Sequence, residues 1–273
     1  MVVESMRVII TADDFGYDIS RNLAIAEAFS KNLCTQTSIM VNMDACEHAV
    51  EIAKKEGFAD CVGLHINLTI GKPLTENIKY ISDICTDGMF NGKFHHNLWK
   101  RFSKKHMDIV KQEIEAQFIR FLEYNFSFLH MDSHHWIHLD RKVAIPIRQL
   151  LEKYKFLSYR RSENIKHLTD WEIVKNKYWY RHFSLYMNYY DKYLAPSSRK
   201  YITANYVGRI HNLQKASTYI SLDNDRSITI EFITHPIYKD DILFDKGVAP
   251  LEDMINLLRG KGYSFITYNH LIK

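Results

Sequence analysis

The sequence predicts an α/β fold: a deformed βα barrel of mostly parallel strands with helices on the outside. Short β-branched runs alternate with longer segments whose apolar residues recur at helical spacing, a pattern typical of parallel strands joined by helices. Several polar residues that could carry chemistry lie at the ends of predicted strands, where the active sites of βα barrels are built. An open doubly wound sheet is the alternative, although the chain has no G-x-G-x-x-G or G-x-x-x-x-G-K-[ST] nucleotide-binding loop.

Three predicted strands alternate with two predicted helices in the first part of the chain. A β-branched run at 7–12 forms the first strand and leads into an Asp-Asp pair. The other two strands are predicted at 38–42 and 61–68, and the two helices at 19–31 and 45–56. Gly57 follows the second helix and is a usual helix terminator.

The alternation continues in the second part of the chain. Helices are predicted at 104–124, 143–154 and 251–260, and strands at 127–132, 228–235 and 263–267. Two segments depart from the pattern. Residues 72–103 contain turn residues and are expected to form a long loop with short elements, and the Tyr-rich segment 164–198 is expected to form a lid, an interface or a covering helix. Because no linker-like stretch divides the chain, we expect a single domain over residues 1–273.

Composition indicates which classes of partner to expect and in which cellular compartment the protein lies. The chain has 36 Lys+Arg against 32 Asp+Glu, and the basic residues are interspersed with acids, so nucleic acid is not an expected partner. No stretch reaches the ~20 apolar residues of a membrane-spanning helix, and the first residues do not resemble a secretory signal. Four cysteines occur without a C-x-x-C pair, which favours reduced thiols in the cytoplasm: Cys34, Cys46, Cys61 and Cys85.

Carboxylates and imidazoles from four distant segments are predicted to share one face of the barrel. An Asp-Asp pair ends the first strand, a His lies in the third, a His-rich run follows the strand at 127–132, and another His ends the strand at 228–235. These candidates are Asp13, Asp14, His65, His130, Asp132, His134, His135, His138 and His235. The run that begins at His130 places four His and one Asp within nine residues, which is typical of a metal or proton-transfer site.

The residue types at this face suit metal-assisted hydrolysis. One Asp and two His form a facial ligand set for a divalent ion and leave positions open for water and substrate. A second carboxylate beside the ion could take a proton from the bound water. Because successive side chains of a strand point in different directions, one member of the pair Asp13 and Asp14 could bind the ion while the other faces the water.

Four motifs, in this order, resemble the YdjC-like carbohydrate deacetylases, the family that includes chitooligosaccharide deacetylase. They are Thr11-Ala-Asp-Asp-Phe-Gly-Tyr, Gly63-Leu-His-Ile-Asn-Leu-Thr-Ile-Gly-Lys-Pro-Leu, His130-Met-Asp-Ser-His-His and Glu231-Phe-Ile-Thr-His-Pro. The resemblance covers nearly the whole chain. It implies a deformed βα barrel, a divalent metal ion, hydrolysis of the N-acetyl group of an acetylated amino sugar, and a homodimer. An Asp/His₂ set accepts either Mg²⁺ or Zn²⁺.

The resemblance also implies roles for individual residues. It matches Asp14, His65 and His134 to the metal ligands, Asp13 to the general base and His235 to the general acid. Asp132 would orient an imidazole, Arg160 or its neighbour Arg161 would match an Arg of the family, and His138 would be a further contact near the substrate. The sequence departs from the family at Trp136, where members usually carry another His, and this Trp could stack on a sugar or simply pack.

Two other functions are compatible with the same residues. A metal-dependent phosphoesterase often uses two or more ions, and the extra ligands would be His135, His138 and Asp132. A non-catalytic module that binds sugar or metal would account for the aromatic residues and the His cluster. Such a module would leave unexplained the second carboxylate beside the ligand and the His on a separate strand.

Overall fold

A computed structural model of the chain describes most of the sequence. The described residues are 6–94, 102–160, 186, 189–196, 200–212 and 228–271. Of the Tyr-rich segment 164–198, only 186 and 189–196 lie within them, so the expectation of a lid, interface or covering helix falls mostly outside the described residues. Arg161 also lies outside them.

Thirteen strands and five α-helices organise the described residues. The strands are β1 (Arg7–Phe15), β2 (Gln36–Ile39), β3 (Val62–Ile66), β4 (Cys85–Thr86), β5 (Met89–Phe90), β6 (His130–Ser133), β7 (Ser158–Tyr159), β8 (Tyr206–Arg209), β9 (Thr229–Thr234), β10 (Pro236–Lys239), β11 (Ile242–Asp245), β12 (Ala249–Pro250) and β13 (Ser264–Phe265). The helices are α1 (Ile19–Ser30), α2 (Cys46–Lys55), α3 (Lys104–Glu123), α4 (Arg141–Lys153) and α5 (Leu251–Gly260). The helices of the described residues are too short or too polar to cross a bilayer.

Eight of the strands form one parallel sheet that curls toward a barrel. Its order is β7-β6-β3-β2-β1-β9-β8, and β13 pairs with the start of β1. The segment before β8 bridges to β7: Ile202 N donates to Leu157 O at 2.9 Å, and Tyr159 N donates to Ile202 O at 3.3 Å. These bonds join the two edges of the sheet, so the prediction of a deformed βα barrel is confirmed.

Capping side chains mark the first turns of two helices. Asp18 caps α1 by accepting a hydrogen bond from Arg21 N at 2.7 Å, and Ser103 caps α3 in the same way. Small residues of α1, among them Ala24 and Ala28, are fully buried. Their size allows the helix backbone to approach the sheet closely.

Most predicted elements lie within a few residues of their observed positions. The strand predicted at 38–42 is observed two residues earlier, at Gln36–Ile39, and the strand predicted at 127–132 begins only at His130. The loop predicted at 72–103 contains the short hairpin of β4 and β5, with 95–101 outside the described residues. Buried Glu113 of α3 anchors this loop, because its carboxylate accepts hydrogen bonds from Leu74 N at 3.0 Å and Thr75 N at 2.7 Å.

Candidate active site

An irregularity in β1 gives the two adjacent aspartates different surroundings. The register of β1 against β2 shifts between Ala12 and Phe15, and Asp14 has a φ of 68°. A non-glycine residue in this left-handed region costs about 1–3 kcal/mol and persists only where tertiary contacts hold it. The pair was expected to end the strand, whereas it lies within β1, and the bulge rather than strand alternation separates the two carboxylates.

Asp14 converges with two histidines from other strands. Its Oδ1 atom lies 2.8 Å from His134 Nδ1 and 3.4 Å from His65 Nε2. Ligand atoms of these three buried residues lie within 4.8 Å of one another. Although burial favours the neutral acid, hydrogen bonds from His134 and His65 hold the pKa of Asp14 well below its usual range. An ionised carboxylate therefore faces two imidazole nitrogens, which is the donor set of a divalent ion.

Asp132 orients the imidazole of His65. The two residues are paired in register between β3 and β6, and His65 Nδ1 donates to Asp132 Oδ1 at 2.6 Å. Since Nδ1 is engaged with this carboxylate, Nε2 is the nitrogen directed at Asp14. Burial disfavours charge on the ring, but Asp132 and Asp13 outweigh it and raise the pKa of His65 to about 10. A metal ion at this position would replace the Nε2 proton.

Asp13 lies beside the ligand group, with a carboxylate oxygen within 4.8 Å of a His65 nitrogen, and pairs with Arg160. The guanidinium donates from Nη1 to Asp13 Oδ2 at 2.9 Å and from Nη2 to Asp13 Oδ1 at 2.7 Å, a bidentate arrangement that fixes the carboxylate. Burial raises the pKa of Asp13 to about 6, and Arg160 only partly offsets that rise. The pKa is suited to a base that works near neutral pH.

Arg160 lies among three buried carboxylates. Besides Asp13, it contacts Asp132 Oδ2 at 2.7 Å through Nη2 and donates from Nε to Glu231 Oε1 at 3.0 Å. Glu231 also accepts hydrogen bonds from Thr11 Oγ1 and Tyr268 OH, each at 2.7 Å. Sequence reasoning did not single out Glu231. The sequence feature that could have identified it is an acidic residue inside the apolar strand β9. A charge buried in such a strand requires partners, so its presence indicates a polar network.

His235 lies directly after β9 and is held by a carboxylate from the adjacent hairpin. Its backbone N donates to Asp245 Oδ1 at 2.7 Å, and its Nδ1 lies 3.9 Å from the same oxygen. Asp245 also accepts a hydrogen bond from His211 Nδ1 at 2.7 Å. Burial lowers the pKa of His235 to about 3, so the free imidazole is neutral. Asp245 was not predicted, because only the fold of the β10–β11 hairpin brings it to this position.

Arg21 of α1 reaches the same group from the first turn of the helix. Its Nη1 donates to Asp14 Oδ2 at 2.6 Å, and its guanidinium carbon lies 4.5 Å from the centroid of the Tyr17 ring. Sequence reasoning missed this residue as well. An Arg early in a helix is common on protein surfaces, so it gave no local signal.

The charges at the site do not balance within the protein once both imidazoles are neutral, as metal ligation requires. The buried carboxylates of the site then outnumber its guanidinium groups. The carboxylates are those of Asp13, Asp14, Asp132, Glu231 and Asp245, and the guanidinium groups those of Arg21 and Arg160. Since uncompensated buried charge is costly, a cation at the ligand group would be stabilised there.

The rest of the His-rich run lies around the ligand group. His138 is buried, and its Nδ1 is hydrogen-bonded to Ser133 Oγ. Within the described residues, the groups able to hold an ion include neither His138 nor His135. His135 and Trp136 have φ values of 52° and 59°, which kink the chain directly after His134. Of the two arginines that could match the Arg of the family, Arg160 lies beside Asp13, and Arg161 is outside the described residues.

Comparison with known proteins identifies relatives of this chain. The family model described as YdjC-like protein matches residues 7–267. A protein of Clostridium beijerinckii named carbohydrate deacetylase is 34% identical over 176 residues, which are 60% of this chain and 67% of that protein. A Brevibacillus brevis protein with the same name is 35% identical over 150 residues, which are 55% of this chain and 57% of that protein. The chain thus spans about half to two thirds of the length of the curated relatives it matches.

A solved structure supports the fold assignment. A protein of Enterococcus faecalis named for cellobiose-phosphate cleavage superposes with a TM-score of 0.69 at 19% identity, and the match covers 98% of this chain and 99% of that one. At this identity the likeness speaks for the fold alone. The family model, in contrast, extends over nearly the whole sequence, so the chain belongs to the YdjC-like family.

Proposed function

We propose that this protein is a metal-dependent carbohydrate deacetylase. Its substrate would be an acetylated amino sugar of the chitooligosaccharide type, such as diacetylchitobiose, and its products acetate and a free amine. One observation carries the proposal. An ionised Asp and two His form a ligand group, and the adjacent Asp13 is held beside it by a bidentate Arg. The curated relatives are named carbohydrate deacetylase, which agrees with this chemistry.

The residues present fit one divalent ion. Asp14 would supply a carboxylate oxygen, and His65 and His134 would supply imidazole nitrogens. The excess of buried carboxylates over guanidinium groups at the site favours a bound cation. Imidazole ligands suit Zn²⁺, whereas Mg²⁺ prefers oxygen, but a mixed set of this kind accepts either ion. When bound, the ion would polarise the acetamide carbonyl and lower the pKa of water.

Asp13 would act as the general base. Its carboxylate takes a proton from the attacking water while the water oxygen forms a bond to the acetyl carbon. Arg160 holds both carboxylate oxygens, so the base is oriented before substrate arrives. The carbon–nitrogen bond then breaks, and the nitrogen leaves as an amine once it has gained a proton.

His235 would deliver that proton to the amine. Because burial lowers its pKa to about 3, the free imidazole is neutral and brings no extra proton to the reaction. It would therefore receive the proton that Asp13 has taken from the attacking water and pass it to the leaving nitrogen, which returns Asp13 to its ionised form. Asp245 contacts the backbone N and approaches Nδ1 of this residue, which would hold the ring in position for the relay.

The placement of Arg160 disfavours the phosphoesterase alternative. A second ion would need ligands such as Asp132, and the guanidinium already lies 2.7 Å from both Asp132 Oδ2 and Asp13 Oδ1. The guanidinium thus competes with an ion for the carboxylates of the two other groups that could hold one, Asp13–His65–Asp132 and His130–Asp132–Glu231. The binding-module alternative needs no general base, so it predicts that Asp13→Asn costs little function, whereas an enzyme should lose turnover and keep its metal.

Acetate release tests the proposal directly. Protein stripped of metal is supplied with Mg²⁺ or Zn²⁺ and incubated with N,N′-diacetylchitobiose, and acetate is measured. We expect metal-dependent release that Asp13→Asn abolishes without loss of metal binding, whereas Asp87→Asn, at an exposed carboxylate in the turn between β4 and β5, leaves it unchanged. Release of phosphate from phosphoesters with no acetate from any acetylated sugar would overturn the proposal.

Two further expectations stay predictions: the homodimer, which the resemblance implies, and the cytoplasmic location, which the cysteine pattern favours. The homodimer can be measured by light scattering with size-exclusion chromatography. The cytoplasmic location can be measured by cell fractionation.

A further inference from the structure

Trp136 occupies an unusual position beside the proposed base. It follows His135, and the two residues are consecutive non-glycine residues with left-handed backbone at φ 52° and 59°. This kink lies between the proposed ligand His134 and the buried His138. A strained pair of this kind persists only where surrounding contacts hold it, and such pairs cluster at functional sites.

The contacts of the Trp136 ring locate it next to the reacting groups. Its centroid lies 5.8 Å from the guanidinium carbon of Arg160 and 5.9 Å from the ring centroid of His138. Arg160 in turn holds Asp13 at 2.7 and 2.9 Å. A single guanidinium group therefore separates the indole from the carboxylate proposed to activate water.

Trp136 is only partly buried, although the residues it contacts are fully buried. Arg160 and His138 are each 1% exposed, whereas Trp136 is intermediate in exposure. The indole thus lies against the buried charge network, while the residue as a whole stays accessible to solvent. A Trp that served only to fill the core would be buried on both sides.

We infer that Trp136 is the aromatic platform on which the pyranose ring of the substrate stacks. The inference rests on the proposed deacetylase function and adds a subsite to it. An acetamide that reaches Asp13 and the ligand group is attached to its sugar by one amide bond, so the sugar ring must lie close by. The apolar C–H face of a pyranose matches the face of an indole, and the contact with Arg160 holds that indole in place.

Substitutions at Trp136 test the platform through the balance of KM and kcat. With diacetylchitobiose, Trp136→Ala should raise KM about tenfold, the factor that corresponds to about 1.4 kcal/mol, and change kcat by less than about threefold. Trp136→Phe should keep KM near the wild-type value, because a smaller aromatic ring still stacks. Tyr80→Ala, at an aromatic residue 83% exposed, is the matched control and should change neither constant. Melting temperatures of all variants establish that they are folded.

Fluorescence measures the same contact without turnover. Diacetylchitobiose titrated into metal-loaded Asp13→Asn protein should change the tryptophan emission, and the double variant Asp13→Asn/Trp136→Phe should lose that change. An unchanged KM in Trp136→Ala, or an unchanged emission response in the double variant, overturns the platform. If sugar binds with a Trp136-dependent signal but the wild type releases no acetate, the deacetylase proposal fails and the platform stands. If Trp136→Ala deacetylates with unchanged KM, the platform fails and the deacetylase proposal stands.

Discussion

Removal of the Arg160 guanidinium should destabilise the protein strongly at neutral pH. Arg160→Met keeps much of the side-chain volume and leaves Asp13, Asp132 and Glu231 buried without the cation that now lies 2.7–3.0 Å from each of them. Loss of one partner from a buried ion pair costs about 3–5 kcal/mol, and here three carboxylates share that partner. We therefore expect the free energy of unfolding at pH 7 to fall by about 3–5 kcal/mol.

The stability that Arg160→Met loses should be smaller in mild acid than at pH 7, because the folded variant binds protons more readily than the unfolded chain. Burial already raises the pKa of Asp13 to about 6 in the folded protein, above its ordinary value of 3.8, and Arg160 opposes that rise. Without Arg160 the folded-state pKa rises further, so the folded variant binds a proton that the unfolded chain releases. Its stability therefore increases as the pH falls from 7 to 5, since protonation removes one of the uncompensated charges.

Urea denaturation at pH 7 and pH 5 measures both effects. Arg160→Lys keeps the charge but not the bidentate geometry, so we expect it to lose less stability than Arg160→Met. Arg259→Met, at an exposed arginine on α5, is the control and should change stability by about 0.5 kcal/mol or less. An Arg160→Met protein as stable as the wild type at pH 7, or one destabilised equally at both pH values, would refute this account of the network.

Three further predictions address the metal, the base and the core. Zn²⁺ or Mg²⁺ should raise the melting temperature, by an amount equivalent to about 2.7 kcal/mol at a hundredfold excess over Kd, and His65→Ala should abolish the shift seen by calorimetry. The rate of acetate release should decline as the pH falls through about 6, because Asp13 must be ionised to act as the base. A bound dication would shift this decline to lower pH. A rate that stays constant down to pH 4 would contradict the assignment of Asp13 as the base. Gly63→Ala places a Cβ 2.8 Å from His130 Cδ2 and should lower the free energy of unfolding, measured in urea, by about 1–3 kcal/mol. Gly260→Ala, where an added Cβ has nothing within 4 Å, is the control and should not destabilise the protein. Equal losses of stability in the two variants would contradict the packing argument.

The fold and the ligand candidates could be predicted because they depend on local patterns. Strand and helix periodicity places the elements within a few residues of their observed bounds. Parallel strands bring their ends to one edge of the sheet, so the sequence predicts that the carboxylates and imidazoles share one face. The resemblance to the family then selects Asp14, His65 and His134 among them. The same periodicity places the Asp-Asp pair after the strand instead of inside it. A bulge depends on how β1 pairs with β2, and the residue types around Asp14 do not encode that register.

The sequence by itself determined the class of fold, the family motifs and the residue types available for a metal site. Only the tertiary structure decided that Arg160 binds Asp13 across 147 residues of chain, and that Thr11 donates to Glu231 across 220. It also decided that Asp245 meets His235 and that Arg21 reaches Asp14. The two long-range partnerships arise from the curling of the sheet, which brings polar groups of distant strands together in the interior. The β10–β11 hairpin brings Asp245 to His235, and the connection from β1 to α1 brings Arg21 to Asp14. Periodicity reports which face of an element is buried, whereas charge pairing depends on which elements become neighbours.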